Sequence, residues 1–362
     1  MASFNPQVPQ HVHVGLASPR VMRGATFPSS IMSINGMKSM ISIIRCFIAF
    51  MMLMTLNAPA FTQTMYPSKP VHIFVPFPPG GAVDIVARTL GDELGKRWNQ
   101  SVVIENRPGA GGIIAEQALA QSPPDGYTLI VVATGHALNG FFYDKLPYDQ
   151  FKDFTPISLI GSSPNMLLVR SDSEFKSVGD VIAAARAKPG QLAYGHAGNG
   201  TSPHLAGELF KYMAKVDITA VPYKGGAPAL TDLIGGHIPL TFNNIPESMG
   251  QIQAGAVRAL GVTTAARSPV LPNVPSIAEA ALPGYDTGVW WGFLAPAGLP
   301  ADVKAKLAKD CAEVVQLPAV REKLLQLGAT PIGSSPEVFA KLIRDEYEKW
   351  GPIIKTAGIK AE

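Results

Sequence analysis

Cysteine is nearly absent from this sequence. Its 362 residues include two cysteines, Cys46 and Cys311. Cys46 falls in a segment that we interpret as a leader, so Cys311 stands alone in the rest of the chain and an intramolecular disulfide is excluded. A chain long enough for about two domains does not need one, because its apolar residues suffice to bury a core.

An excess of basic charge is also missing. The net charge is +3 over the whole chain, but residues 1–60 contain Arg20, Arg23, Lys38 and Arg45 and no acidic residue. Without these four residues the net charge is about −1, so the sequence lacks the basic surface that nucleic-acid binding requires. We expect no nucleic-acid partner.

The signatures of common enzymes are absent as well. The chain contains neither a Gly-x-Ser-x-Gly nucleophile elbow nor a Gly-x-x-x-x-Gly-Lys-Ser/Thr phosphate loop. His196 and His204 are eight residues apart and have no accompanying cluster of His, Cys or carboxylates, so we expect no metal site. The sequence therefore predicts a protein without a cofactor and without catalytic residues.

Residues 1–60 have the organisation of an export signal. A basic region at 37–45 precedes the apolar run 46–56, and Ala58-Pro59-Ala60 supplies a cleavage site of small residues. The apolar run is shorter than the ~20 residues of a membrane-spanning helix. We predict a leader over 1–60 that is cleaved near Ala60, and a soluble periplasmic protein. The start of synthesis, at Met1 or at a later methionine such as Met37, stays open.

What the sequence does contain is a Pro/Gly loop at 76–84, between an apolar run at 71–75 and an amphipathic run. The amphipathic run has its apolar residues at helical spacing, namely Val83, Val86, Ala87, Leu90 and Leu94. A strand therefore feeds a helix whose first N–H groups lack partners within the helix and favour an anion. The loop is either an anion cradle or a plain connection. We expect Asp84 to steady it rather than contact a ligand, because its charge complements the helix dipole.

Further apolar runs alternate with amphipathic runs along the chain. Strands are predicted near 71–75, 102–105 and 127–132, then in a second group over 165–262, and last at 290–294 before three helical segments. Such alternation predicts an α/β fold with parallel sheets covered on both faces. The glycine-rich loops after several strands should then lie at one rim, around a cleft between two domains.

Several of these loops carry longer motifs, at 66–70, 78–84, 105–112, 124–129, 222–225 and 296–298. In this order they begin with Tyr66-Pro67, Pro78-Pro79-Gly80-Gly81, Glu105-Asn106-Arg107-Pro108, Pro124-Asp125-Gly126, Pro222-Tyr223-Lys224-Gly225 and Pro296-Ala297-Gly298. The chain resembles the Bug receptor family, the TctC-like periplasmic solute-binding proteins of tripartite tricarboxylate transporters. The resemblance covers essentially the whole chain after the leader.

The resemblance implies a periplasmic-binding-protein-like (Venus flytrap) fold of two α/β domains, the second inserted into the first. We expect domain 1 at 61–164 and 285–362 and domain 2 at 165–284. The family also implies a monomer that binds a small carboxylate, such as a di- or tricarboxylate, an acidic amino acid or an aromatic carboxylate, and delivers it to membrane transporter subunits. A role as a ligand-presenting sensor for a membrane signalling system is the alternative.

The family's ligand-binding positions fall on loops in both halves of this sequence. In the first half they are Phe77, Gly80, Gly81, Thr134 and Asn139. In the second half they are Ala197, Gly198, Gly200, Thr201, Ser202, Tyr223, Lys224 and Asn243. His196 stands where the family often has a small residue, and we expect it to add a donor at the rim. Thr201 and Ser202 also fit a helix N-cap before Pro203, and both roles stay open.

Overall fold

The computed structural model describes residues 34–55, 66–143 and 145–359. The helix α1 (Ile34–Thr55) belongs to an N-terminal unit, and the residues from Thr64 onward form a second unit. The predicted cleavage site at 58–60 and the first part of the leader lie outside the described residues. Within those residues, no helix has the length and apolar character needed to cross a membrane.

The first sheet begins with three parallel strands, β1 (Val71–Val75), β2 (Val102–Asn106) and β3 (Thr128–Ala133). They are connected by α2 (Ala82–Trp98) and by α3 (Ile113–Ala120), which follows a short 3-10 turn at Ala110–Gly112. The predicted βαβαβ order is therefore present. The apolar stripe predicted for α2 is buried, since Val86, Ala87, Leu90 and Leu94 have no exposed surface.

Three more strands complete this sheet, each paired in antiparallel fashion with its neighbours. They are β4 (Phe154–Ser163), β10 (Val289–Pro296) and β11 (Thr330–Pro331), and the strand order is β11-β4-β10-β3-β1-β2. Its remaining helices are α4 (Gly135–Phe142), α10 (Ala301–Gln316), α11 (Pro318–Gln326) and α12 (Pro336–Ala357). The three C-terminal helices of this set contact strands of the first sheet.

The second sheet is made of the strands between β4 and β10. Its members are β5 (Asn165–Arg170), β6 (Ala193–His196), β7 (Thr219–Pro222), β8 (Leu240–Asn244) and β9 (Val257–Val262), in the order β7-β6-β8-β5-β9. Its helices are α5 (Val178–Ala187), α6 (Ser202–Ala214), α7 (Gly226–Ile234), α8 (Ile245–Gln253) and α9 (Ile277–Ala280).

The expectation of purely parallel sheets is wrong. In the first sheet β10 runs antiparallel to β3 and β4, and in the second sheet β5 runs antiparallel to β8 and β9. A strand buried on both faces has a continuous apolar sequence whichever way it runs, so hydropathy carries no information on direction. The α/β class and the two-sheet architecture are as predicted, and both sheets are mixed.

Candidate functional site

A cavity lies between the two sheets, at the ends of their central strands. We call it the central cavity. Its walls are formed by the beginnings of five helices, at 81–83 in α2, 135–136 in α4, 201–203 in α6, 225–228 in α7 and 244–247 in α8. The aligned peptide dipoles of these helices place partial positive charge around the cavity. Among the described residues that line it, none is Lys or Arg.

The loop between β1 and α2 is held in place by Asp84. Its carboxylate accepts hydrogen bonds from the Gly80 amide at 2.9 Å and from Asn106 Nδ2 at 2.8 Å, and it pairs with Arg88. Burial acts to raise the pKa of Asp84, but the bonds from Arg88, Gly80 and Asn106 prevail and lower it. Asp84 thus steadies the loop, as the sequence predicts.

Hydrogen bonds within this loop occupy backbone amides that could otherwise donate to a ligand. The Gly80 amide is used by Asp84, and the Gly81 amide donates to the Pro78 carbonyl oxygen at 3.4 Å. Ala82, the first residue of α2, lies at the cavity wall beside Gly81. The sequence prediction named the two glycines and not Ala82.

Glu247, in the first turn of α8, is the partner of Ala82. The Ala82 amide donates to Glu247 Oε2 at 2.9 Å. A helix that follows the second sheet is therefore hydrogen-bonded to a helix that follows the first. Glu247 Oε1 accepts from Asn244 Nδ2 at 2.9 Å and from the Asn244 amide at 3.4 Å. Burial raises the pKa of Glu247, since these donors offset only part of the lost hydration.

Sequence reasoning also missed Glu247, although a signal was present. An Asn followed three residues later by Glu is typical of a helix start at which the Glu turns back on the cap residue. That pattern at 244–247 places the carboxylate at the end of a predicted strand. The space for it comes from Gly226, because a Cβ there would overlap Glu247 Oε1 and Asn243 Oδ1.

A second carboxylate, Glu116, borders the cavity from α3 and is 2% exposed. Its Oε2 accepts from Tyr148 OH at 2.5 Å, lies 2.9 Å from His136 Nδ1, and has Asn139 Nδ2 at 3.5 Å. Burial and the nearby Glu116 raise the pKa of Tyr148. This carboxylate is therefore surrounded by donors, one of which, His136, also lines the cavity.

Trp291 lines the cavity from β10 and is 1% exposed. Its indole Nε1–H, which can only donate, has no acceptor among the described residues. The neighbouring Trp290 faces the other side of the sheet, where it packs edge-on against Phe339. The two tryptophans thus point to opposite faces, as their succession on a strand predicts.

On the second sheet, Thr201 is the N-cap residue of α6, but its side chain does not cap the helix. Thr201 Oγ1 donates to the Gly198 carbonyl oxygen at 2.6 Å, and Asn165 Nδ2 lies 3.2 Å from Ser202 Oγ. The capping alternative for these hydroxyls is therefore wrong. Both residues line the central cavity.

The structure distributes the predicted binding residues over three places. Lining the central cavity are Phe77, Gly81, Ala197, Thr201 and Ser202. An adjoining pocket, which shares Phe77 and Ala197 with the cavity, adds Gly198, Tyr223 and Lys224. Six predicted residues line neither of these: Gly80, Thr134, Asn139, His196, Gly200 and Asn243.

His196 lies apart from the central cavity. It is buried in a separate pocket with His204, and the centroids of the two rings are 4.6 Å apart. Burial lowers the pKa of His196 to about 3 and that of His204 to about 4, so both are neutral at ordinary pH. A search of the described residues finds no group of His, Cys and carboxylates able to hold a metal ion.

Comparison with known proteins points to one family. The sequence profile described as "Tripartite tricarboxylate transporter family receptor" matches residues 86–359. Rpa4515 of R. palustris, solved with adipate, is 42% identical with a TM-score of 0.80, over 81% of this chain and 99% of that one. The periplasmic binding protein BugD is 32% identical with a TM-score of 0.78, over 82% of this chain and 100% of that one.

A third solved structure has a different bound acid. MatC (Rpa3494) from Rhodopseudomonas palustris, with bound malate, is 35% identical with a TM-score of 0.76, over 80% of this chain and 100% of that one. These similarities confirm the predicted resemblance to Bug and TctC receptors and the predicted fold class.

Proposed function

This chain belongs to the tripartite tricarboxylate transporter receptor family, and from that premise we propose that it binds a small carboxylate in the central cavity for delivery to membrane transporter subunits. The relatives whose structures contain adipate and malate support a carboxylate ligand. The family description supports a receptor role rather than catalysis.

The observation that carries the proposal is the indole N–H of Trp291. A buried donor without an acceptor is costly, and buried polar groups in proteins are rarely left unpaired. This donor belongs to a residue of a cavity that is ringed by the positive ends of five helices. A carboxylate supplies the acceptor atoms and the negative charge that such surroundings favour.

Binding in this cavity couples the two sheets. Residues at 81–83 follow a strand of the first sheet, and residues at 201–203 follow a strand of the second. A ligand that contacts both groups favours the arrangement in which the sheets are close together. We assign the two sheets to two domains that divide at 164/165 and at 284/285, so that closing the cavity is a motion between domains.

We place the protein in the periplasm, because residues 1–60 carry a predicted export signal and because the relative BugD is a periplasmic binding protein. The family resemblance further suggests a monomer. The ligand is bound and released unchanged. No cofactor enters this account.

Thermal unfolding in the presence of a panel of mono-, di- and tricarboxylates tests the proposal. A true ligand at 100 times its dissociation constant adds about 2.7 kcal/mol of stability, which is a clear rise in the melting temperature. The corresponding amides and alcohols are controls for the charge. If no carboxylate raises the melting temperature, the proposal is contradicted. It is also contradicted if mass spectrometry of the recovered ligand shows conversion to a product.

Two variants test whether the ligand binds in the central cavity beside Trp291. Trp291→Phe removes the indole donor and is expected to weaken binding by roughly 10- to 100-fold, the value of one hydrogen bond to a charged group. Trp290→Phe is the matched control, because Trp290 also has a buried, unpaired Nε1–H but does not line the central cavity. Equal losses in both variants, or none in Trp291→Phe, would place the ligand elsewhere.

A further inference from the structure

The charge at the wall of the central cavity is unusual for a site that takes an anion. The ionisable side chains that line it are Glu116, His136 and Glu247. Glu116 has a possible counter-charge in His136, whose Nδ1 lies 2.9 Å from Oε2. Glu247 forms no ion pair with a described residue and is held by three N–H donors from Ala82 and Asn244.

Among the described residues around Glu247, no basic side chain forms an ion pair with it. Lys224, on the loop before α7, is exposed and lines the adjoining pocket. On α2, Arg88 is occupied by Asp84. On α7, Asp232 pairs with His237, and on β9 the Arg258 side chain donates to backbone carbonyl groups at 171–175. The adjoining β8 (Leu240–Asn244) has no ionisable residue. The cavity thus presents a partly buried carboxylate that is not paired with a cation among the described residues.

We propose that Glu247 determines the ligand class: the ligand is a carboxylate that also carries an ammonium group, and this group pairs with the Glu247 carboxylate. The inference rests on the proposed function and narrows it. A plain dicarboxylate would add two negative charges beside Glu247, where like charges repel strongly at low dielectric. An amino acid or an amino-substituted acid instead brings both the anion that the helix ends favour and the cation that Glu247 lacks.

The helix-capping contacts of Glu247 do not account for the charge. A Gln at the third position of a helix turns back on the cap residue equally well. A neutral side chain could therefore hold Asn244 and accept from Ala82 without the cost of a partly buried charge. A ligand ammonium group beside Glu247 would favour its ionised form, which these contacts alone do not offset against burial.

Matched pairs of probes that differ only in an ammonium or a hydroxyl group test the inference by titration calorimetry. The pairs are aspartate and malate, glutamate and 2-hydroxyglutarate, phenylalanine and 3-phenyllactate, and 4-aminobutyrate and 4-hydroxybutyrate. At about pH 7, the protein should bind the amino member of the pair that fits the cavity at least about tenfold more tightly than the hydroxy member, as expected for a close charge pair. In Glu247→Gln this preference should fall to about one, and in the exposed control Glu174→Gln it should persist.

The pH dependence gives a second readout that a purely structural role would not produce. Below the pKa of Glu247 the side chain is neutral, so amino probes should lose affinity as the pH falls and dicarboxylate probes should gain it. His136 is unchanged in Glu247→Gln, so only the contribution of Glu247 is removed there, and the opposite slopes should disappear. Melting temperatures of both variants verify the fold.

The outcomes separate the two proposals. If hydroxy acids or dicarboxylates bind the wild-type protein as tightly as their amino counterparts, the ammonium inference is overturned and the carboxylate receptor stands. A preference that survives in Glu247→Gln also overturns it. If no probe of either kind binds, the receptor function fails and the inference fails with it.

Discussion

The backbone amide of Ala82 donates to Glu247 Oε2 at 2.9 Å, although 165 residues separate the two in sequence. Ala82 begins a helix that follows the first sheet, and Glu247 lies in the first turn of a helix that follows the second. A side-chain carboxylate therefore occupies one of the helix ends at which the sequence predicts a ligand carboxylate. Since this bond links the two sheets, changes around it should affect stability and binding together.

Gly226→Ala tests the space on which this contact depends. The added Cβ would overlap Glu247 Oε1 and Asn243 Oδ1, so we expect destabilisation by about 1–3 kcal/mol in urea unfolding, as for other overpacked sites. The control is Gly250→Ala in the exposed part of α8, where a Cβ meets no atom within 4 Å. That variant should gain up to ~1 kcal/mol from helix propensity. Equal effects in the two variants would contradict the packing around Glu247.

Asp84→Asn tests the support of the first loop. The change removes the charge to which Gly80, Arg88 and Asn106 donate hydrogen bonds. We expect a loss of about 1–3 kcal/mol of unfolding free energy at neutral pH. This range allows for a weak contribution from the ion pair with Arg88, whose side chain is exposed to solvent. Asp92→Asn, an exposed change on the same helix, should stay within about 0.5 kcal/mol.

The pH dependence of the Asp84 contribution has a definite sign. Its folded pKa lies below the unfolded value of 3.8, so the stabilisation is present above that pH and is lost as the pH falls through the folded pKa. The stability difference between wild type and Asp84→Asn should therefore shrink in acid. A difference that stays constant there would show that the charge of Asp84 is not what holds the loop.

Glu247 should show the opposite dependence. Its folded pKa is raised above the unfolded value of 4.5, so its contribution is fully present below pH 4.5 and is lost as the pH rises through the folded pKa. Urea unfolding of wild type and Glu247→Gln across this range should show the wild type losing stability relative to the variant. Parallel pH profiles would mean that Glu247 is not desolvated as described.

Tyr148→Phe tests the buried cluster around Glu116. The variant removes the hydroxyl that donates to Glu116 Oε2 at 2.5 Å, and the loss of a bond to a charged acceptor is expected to cost about 1.5–3 kcal/mol. Tyr212→Phe, on an exposed position, is the control and should change the unfolding free energy by less than about 0.5 kcal/mol. An unchanged unfolding free energy in Tyr148→Phe would show that other donors satisfy Glu116.

Much of the fold follows from local sequence. The strand predicted near 71–75 has these bounds in the structure, and the helix α5 begins where the Ser177 hydroxyl accepts from the Asp180 amide. The direction of β5 and β10, however, depends on pairing between distant segments, which hydropathy does not encode. The strand β4 was not predicted at all, because its residues at 154–163 mix polar and apolar side chains and include a proline.

The site was predicted less completely than the fold. Phe77, Gly81, Ala197, Thr201 and Ser202 line the central cavity because each follows a strand end, which sequence patterns locate. Neither the role of Trp291 nor the Ala82–Glu247 contact was predicted. Which amide of a loop is free depends on the bonds that its neighbours have already made, and those bonds form only in the folded chain.

The measurement that tests the central claim most directly is titration calorimetry of the carboxylate that stabilises the wild-type protein, carried out on wild type, Gly250→Ala and Trp291→Phe. The account predicts one site per chain, unchanged affinity in Gly250→Ala, and a loss of roughly 10- to 100-fold in Trp291→Phe. Undiminished binding by Trp291→Phe, or the absence of any carboxylate that binds the wild-type protein, would contradict it.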